Sequence, residues 1–164
     1  IKDEWENESF IKMANKISKV ELLGDFLRKG QFEKLFNLVG VINQSDPKQI
    51  YLKNAETIYL QRYEDDQNLE DLYSVLISQI LQRKVLNASN TIDLILLSDY
   101  KNGNAHLANA IINVYLFKSK EARISINKSK LYEKSLESNK ILETIEGLTY
   151  LQELKFINAY KTLS

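Results

Sequence analysis

The 164-residue chain contains no cysteine, one proline, one histidine and five glycines. Each scarcity removes a class of protein. Without cysteine there is no disulfide framework and no thiolate metal site. With His106 as the single histidine, a His-rich zinc site is excluded, and Ser-His catalysis would rest on that side chain alone. So little proline and glycine is too little punctuation for a many-stranded β fold, and it suits long helices with short turns. Gly24, Gly30, Gly40, Gly103 and Gly147 stand apart from one another and make no phosphate-cradling loop. No apolar run approaches the ~18 residues that a membrane span needs. The opening IKDEWENESF is charged and unlike a signal peptide. Lys+Arg and Asp+Glu balance at 22 each, which leaves no chain-wide basic surface for nucleic acid or anionic membrane. The expectation is a cytoplasmic protein with no cofactor, no metal, no membrane contact and no direct nucleic-acid contact. The chain lacks an initiator Met and closes on LKFINAYKTLS without a helix stop signal, so it is expected to be a fragment of a longer protein.

What is present is helical periodicity. Residues 4–15 (EWENESFIKMAN) predict a first helix with Trp5, Phe10, Ile11 and Met13 on its apolar side. A hairpin follows from about Ser18 to Gln44. Its first helix carries Leu23, Phe26 and Leu27 and stops at Lys29-Gly30; its second starts near Gln31 and carries Phe32, Leu35, Phe36, Val39 and Ile42. Asp46-Pro47 reads as the cap and first position of a third helix, on which Tyr51, Leu52, Ala55, Ile58, Tyr59, Arg62 and Tyr63 recur at three- and four-residue steps. After a turn at 65–68, Leu69, Leu72, Tyr73, Leu76 and Ile80 mark another helix, with Arg83 or Lys84 at its negative end. Asn87 to Asn90 reads as a break that caps the next helix, and Lys101 to Asn104 as a turn. Ser119 reads as the cap of an unpaired helix over 119–136, and Ser138-Asn139 as a break before the last helix. The total is eight or nine helices and no strand. The apolar run Ile92 to Leu97 is ambiguous alone, but its flanks favour helix.

The hairpin repeats. Phe26, Tyr63 and Tyr100 recur at steps of 37 residues, and Leu35, Leu72 and Ala108 at 37 and 36. Gly30, Gln67 and Gly103 fall in the turns between, with Gly30 and Gly103 read as helix C-caps. A helix–turn–helix period in the mid-thirties marks an α-solenoid, because one hairpin cannot bury its own apolar face. Phe26, Gly30, Phe32, Leu35 and Pro47 resemble the tetratricopeptide repeat, and Gly147, Tyr150, Phe156 and Ala159 resemble a second copy. The middle copies lack the second aromatic and the closing Pro. The hairpin LLGDFLRKGQFEKLFNLV and the segment LILLSDYKNGNAHLANAII are also similar to the repeat region of peptide-sensing regulators from Gram-positive bacteria and their phages, the arbitrium receptors among them. That resemblance implies a short peptide bound in a concave groove, and a DNA-binding helix-turn-helix preceding the repeats. None is visible in this chain.

The residues with chemistry to offer have plainer roles beside the functional ones. His106, just after a turn, reads as a surface or partly packed side chain. Asp65-Asp66 and Glu70-Asp71 could bind a cation or move protons, but acids at a turn and a helix start are explained by the helix dipole. The nine tyrosines read mostly as inter-helix packing, with one or two facing a groove. Lys118, Lys120, Lys128, Lys130 and Lys134 read as a solvated face, since Glu121, Glu133 and Glu137 interrupt them. The expected fold is all-α: a right-handed solenoid of antiparallel helical hairpins in one domain over 1–164. The expected function is non-catalytic recognition of a peptide or protein partner, as the sensing part of a regulator, with an oligomerisation scaffold as the alternative. Helical phase places Arg28, Asn54, Gln61, Glu64, Ser98 and Lys101 in the groove that would bind it.

Overall fold

A computed structural model describes residues 2–163, with side chains placed for 7–157 and 160–162. Trp5 and Ala159, named above for the first helix and the second repeat copy, lie outside the described side chains. The fold is all-α. Eight helices occur among the described residues: α1 (Lys2–Lys29), α2 (Phe32–Ser45), α3 (Ile50–Asp66), α4 (Leu69–Leu81), α5 (Val85–Ser98), α6 (Gly103–Tyr115), α7 (Ser119–Tyr132) and α8 (Leu136–Leu163). They group into two compact units that meet within α5, one running to Thr91 and the other from Ile92. The run Ile92 to Leu97 is helical.

In the first unit the expected first helix and the first arm of the hairpin are one helix, α1. No Gly or Pro lies between Met13 and Val20, so nothing interrupts the backbone hydrogen bonds. α1 stops at Gly30, whose φ of 72° is left-handed. The Gln31 N–H then bonds back to the Phe26 carbonyl at 2.8 Å and closes the last turn. Asp46 does not cap α3. It ends α2, its N–H on the Ile42 carbonyl at 3.1 Å, and α3 begins only at Ile50, after a turn through Pro47. The break expected at Asn87–Asn90 lies earlier, at Gln82–Lys84, where Arg83 takes φ 61° and the Lys84 N–H reaches the Gln79 carbonyl at 2.9 Å. Asn87 to Asn90 lie inside α5.

The unit is built around α4. Every residue from Asp71 to Gln79 is buried, so this helix has no solvent face along those nine positions. α1 and α3 pack against it, and α1 also carries α2 and α3. Gly24 allows the closest approach: a Cβ there would meet the Ser74 backbone N at 2.8 Å. Several buried polar groups are tied across the helices. The Tyr59 hydroxyl donates to the Ile17 carbonyl at 2.9 Å, Tyr51 donates to Asn43 Oδ1 at 2.8 Å, and Thr91 donates to Gln79 Oε1 at 2.6 Å. Burial of a large apolar side chain contributes roughly 1.5–3 kcal/mol, and Val20, Leu23, Leu52, Leu72 and Leu76 are all fully enclosed.

In the second unit α6 packs against both α7 and α8, and α7 packs against α8. The helix expected to be unpaired is therefore paired along its length. The reason is its buried stripe of mostly small residues, Ser119, Ala122, Ser125, Ile126 and Ser129, which lets the α6 and α7 backbones approach. Gly103 is not a C-cap. It is the first residue of α6, capped by Asn102, whose Oδ1 accepts the Asn104 N–H at 2.9 Å. Ser119 does not cap α7 either; its hydroxyl crosses to Gln152 of α8 at 3.0 Å. The break before α8 falls at 133–135 rather than Ser138-Asn139, and Ser135 Oγ caps it by accepting the Ser138 N–H at 3.2 Å.

Candidate functional site

Among the described residues each unit carries a depression of a size and chemistry to be considered. The first, about 290 Å3, is lined by Ser18, Glu21, Leu22, Gly24, Asp25 and Arg28 of α1 and Glu70 of α4. Its polar groups answer one another. Arg28 lies 2.8 Å from Asp25 and 3.7 Å from Glu70, and Lys29 lies 2.9 Å from Asp25. The Lys29 hydrogen bond, aided by Arg28, holds the Asp25 carboxyl below its usual range. Behind the depression Arg62 of α3 spans Glu21 at 3.7 Å and the buried Asp71 at 3.5 Å, its guanidinium 5.3 Å from the Tyr59 ring centre. Burial pushes the Asp71 carboxyl up, against the pull of Arg62. Burial likewise raises the Tyr59 phenol to about 12. This is a tie between helices, with its charges spent internally.

The second depression, about 430 Å3, is a groove between α6 and α8 lined by Ile111, Val114, Tyr115, Phe117, Ile145, Leu148 and Gln152. Six of these seven are apolar or aromatic. Tyr115 is 61% exposed and Phe117 65%, and the two stand together at the rim of the groove. The two helices run parallel. At one end Ser138 Oγ donates to Asn104 Oδ1 at 3.1 Å; at the other, Gln152 Nε2 donates to the Val114 carbonyl at 2.9 Å. Gln152 is thus pinned from both sides, by Val114 and by the Ser119 hydroxyl, and forms a fixed polar floor. Phe117 takes φ 57°. A bulky aromatic in the left-handed region is strained, and such strain persists only where the surroundings enforce it. Here the Lys118 N–H closes onto the Asn113 carbonyl at 2.9 Å and holds the turn that carries Phe117. Arg123 of α7, over the Tyr150 ring at 5.1 Å and paired with Glu153, fixes α7 to α8 next to the groove.

His106 belongs to a closed cluster. It is 1% exposed, stacks on Tyr132 with centroids 5.7 Å apart and meets the edge of Tyr100 at 5.1 Å. Its Nε2 lies 2.6 Å from the Tyr100 carbonyl, which can only accept, so Nε2 carries the proton. Nδ1 is buried with no hydrogen-bond partner. Burial, reinforced by Lys128, holds the imidazole below its usual range against the bond to Tyr100. Enclosed in this way, His106 has no opening to a substrate. Among the described residues no group of three or more His, Asp or Glu side chains is placed to hold a metal ion. Nor is any helix among them long and apolar enough to cross a membrane.

The six residues placed in a groove by helical phase are distributed as follows. Arg28 lines the charged depression. Asn54, Gln61 and Glu64 are exposed on α3, on the face opposite its buried Tyr51, Leu52, Ala55 and Tyr59, and Gln61 bonds Asp65 at 3.1 Å. Ser98 ends α5 and Lys101 lies in the turn after it, both exposed. Arg28 has Asp25 and Glu70 as neighbours rather than the α3 residues, and none of the six lines the α6–α8 groove. Of the acid pairs, Glu70 and Asp71 lie in the first turn of α4, as the dipole reading expects, with Asp71 buried on Arg62; Asp65 and Asp66 are exposed in the last turn of α3, the negative end of its dipole, where that reading fails. The groove residues escaped the sequence reading because 111–117 and 145–152 are apolar stretches that read as core. Tyr115, among the tyrosines of which one or two were expected to face a groove, was the available signal. No protein-family model, no curated protein and no solved structure matches the chain.

Proposed function

We propose that the chain is a non-catalytic helical recognition module that binds a peptide or protein partner, as the sensing or regulatory part of a peptide-responsive bacterial or phage regulator. The observation that carries the binding role is the α6–α8 groove: apolar walls, two exposed aromatics at its rim, one of them on a strained backbone, and a pinned amide on its floor. Sites that take apolar side chains have this composition, mostly hydrophobic lining with a few fixed polar groups, and volumes of about 300–1,000 Å3. The regulator role is supported by the resemblance of the hairpin segments. The non-catalytic reading is supported by the enclosure of His106 and the pairing of Asp71 with Arg62.

The test is direct binding of short apolar peptides, followed by thermal shift and fluorescence anisotropy, with Leu148→Gln as the control that makes the groove polar. Binding to the wild type that the variant loses supports the module. Binding that the variant keeps moves the site elsewhere. A natural reading frame that places a helix-turn-helix before Ile1 supports the regulator role, and one without it removes that role.

A second reading, an oligomerisation scaffold, is favoured by α8. Its buried stripe of Ser138, Leu142, Ile145 and Thr149 continues at the same helical phase into Phe156 and Tyr160, which are 61% and 76% exposed. Sedimentation velocity over a hundredfold concentration range decides it. A mass that rises with concentration, and falls back on Phe156→Ser, supports the scaffold.

A further inference from the structure

The groove has one end that differs from the rest. α6 and α8 run parallel, so the residues that follow Val114 and Gln152 leave the groove at the same end. These include Lys118, next after Phe117, and Lys155, one turn past Gln152 on the same face of α8; both are exposed. α7 begins there too. Its N-cap position, Lys118, makes no side-chain capping bond, and Ser119 touches Gln152 of the groove floor. The positive end of the α7 dipole therefore adds to the two ammonium groups. α7 itself carries one acid in its first turn, Glu121, with Lys120 beside it, and the lining helices add no carboxylate that balances the lysines. α6 carries none. On α8, Glu146 pairs with Lys130 and Glu153 with Arg123, Glu143 falls on the opposite face, and Glu137 lies three turns before Leu148.

We infer that the groove takes a short apolar peptide segment of a partner that carries a carboxylate at one end, with its apolar side chains over Ile111, Tyr115 and Leu148 and its carboxylate between Lys118 and Lys155. This rests on the groove being the binding site proposed above. From Ile145 to Gln152 on α8 the groove wall rises about 10 Å, which sets the segment at a turn or two of helix or a few extended residues. Apolar contact supplies the attachment. The charge at one end supplies direction and discrimination, since the wrong sign would face an end where lysines outnumber the single acid Glu121.

Three fluorescein-labelled peptides test it, sharing one leucine- and phenylalanine-rich core and ending in glutamate, glutamine or lysine, each with an amidated C-terminus. Anisotropy is read with the whole chain at low and at physiological salt. The glutamate peptide should bind at least tenfold more tightly than the lysine peptide, with the ratio shrinking as salt rises. The double variant Lys118→Glu with Lys155→Glu, both at exposed positions and checked for an intact fold by circular dichroism, should invert the order. Equal binding of the three, or tighter binding of the lysine peptide to the wild type, overturns the carboxylate assignment while leaving the groove. No binding of any peptide, or binding that Leu148→Gln does not weaken, overturns the groove itself.

Discussion

The carboxylate of Asp71 sits 3.5 Å from the guanidinium of Arg62, and the two differ sharply in exposure: Asp71 is buried in α4 while Arg62 is nearly half exposed on α3. The pair is therefore asymmetric. Arg62 can lose its partners and find water, but Asp71 cannot. Arg62→Ala should cost about 1–3 kcal/mol, the penalty for a buried group left unsatisfied. Burial already raises the Asp71 carboxyl, so its charged form is what the fold tolerates least. A group raised in the folded state contributes stability at low pH and loses it as pH climbs through its folded value. The loss in Arg62→Ala should accordingly be larger at pH 7 than at pH 4 by urea unfolding, and Asp71→Asn should restore much of it. A loss equal at both pH values would put the cost in Tyr59 packing rather than in charge.

Gly103 meets α7 with no room for a side chain. A Cβ there would lie 2.7 Å from the Glu133 backbone N and 2.9 Å from the Ser129 carbonyl oxygen, and it would also strike Glu133 Cβ. Two of these neighbours are backbone atoms, so no rotamer change relieves them. Gly103→Ala should destabilise by about 1–3 kcal/mol, as overpacking does. Gly147→Ala has open space around it, so its gain in helix propensity should stabilise by about 0.5–1 kcal/mol. Opposite shifts in the urea midpoint for the same substitution are the expected result.

His106 should make the second unit sensitive to mild acid. Its folded pKa is lowered from 6.5 by burial, because Nδ1 has no acceptor for a second proton. A depressed group contributes stability above its unfolded value and loses it as pH falls below about 6.5. The wild type should thus lose more stability between pH 7.5 and pH 5 than His106→Gln, which cannot titrate. As the chain's one histidine, it gives a uniquely assigned ring signal by NMR. That signal should titrate below the value of a free imidazole.

Phe117 separates folding from binding. Its left-handed φ costs of order 1 kcal/mol, and the side chain is mostly in water, so it gives little back to the fold. Phe117→Gly should raise the unfolding midpoint and at the same time weaken apolar peptide binding. A variant that weakened both would mean the ring packs more than its exposure indicates.

How much of this was legible depended on the kind of signal. The stripe Leu72, Tyr73 and Leu76 announced α4, and the seven-residue recurrence of Leu52 and Tyr59 announced α3. Gly30 announced its own turn. Gln67, Arg83 and Phe117 take the same left-handed conformation without the residue type that advertises it. That is why the break at Gln82–Lys84 was read several residues late. Ser74, Ser78 and Gln79 fall outside the apolar stripe, so their burial carries no sequence signal; Ser78 is satisfied by the Val75 carbonyl at 2.7 Å and Gln79 by Thr91. The groove was hidden for the opposite reason. Its residues are apolar and far apart in the chain, and only the parallel course of α6 and α8 turns two core-like stretches into a surface.

The unbroken burial of α4 from Asp71 to Gln79 also constrains what this unit can become. A helix with one wet side can change along that side freely, and its tolerance to substitution rises and falls with the turn of the helix. α4 has no such side. A mutational scan across it would return a plateau instead of a wave. Accepted changes there need answering changes in the helices packed on it, chiefly α1 and α3, so these three drift together or hardly at all, while α2, packed mainly on α1 and tied to α3 through Tyr51 and Asn43, has more freedom to diverge.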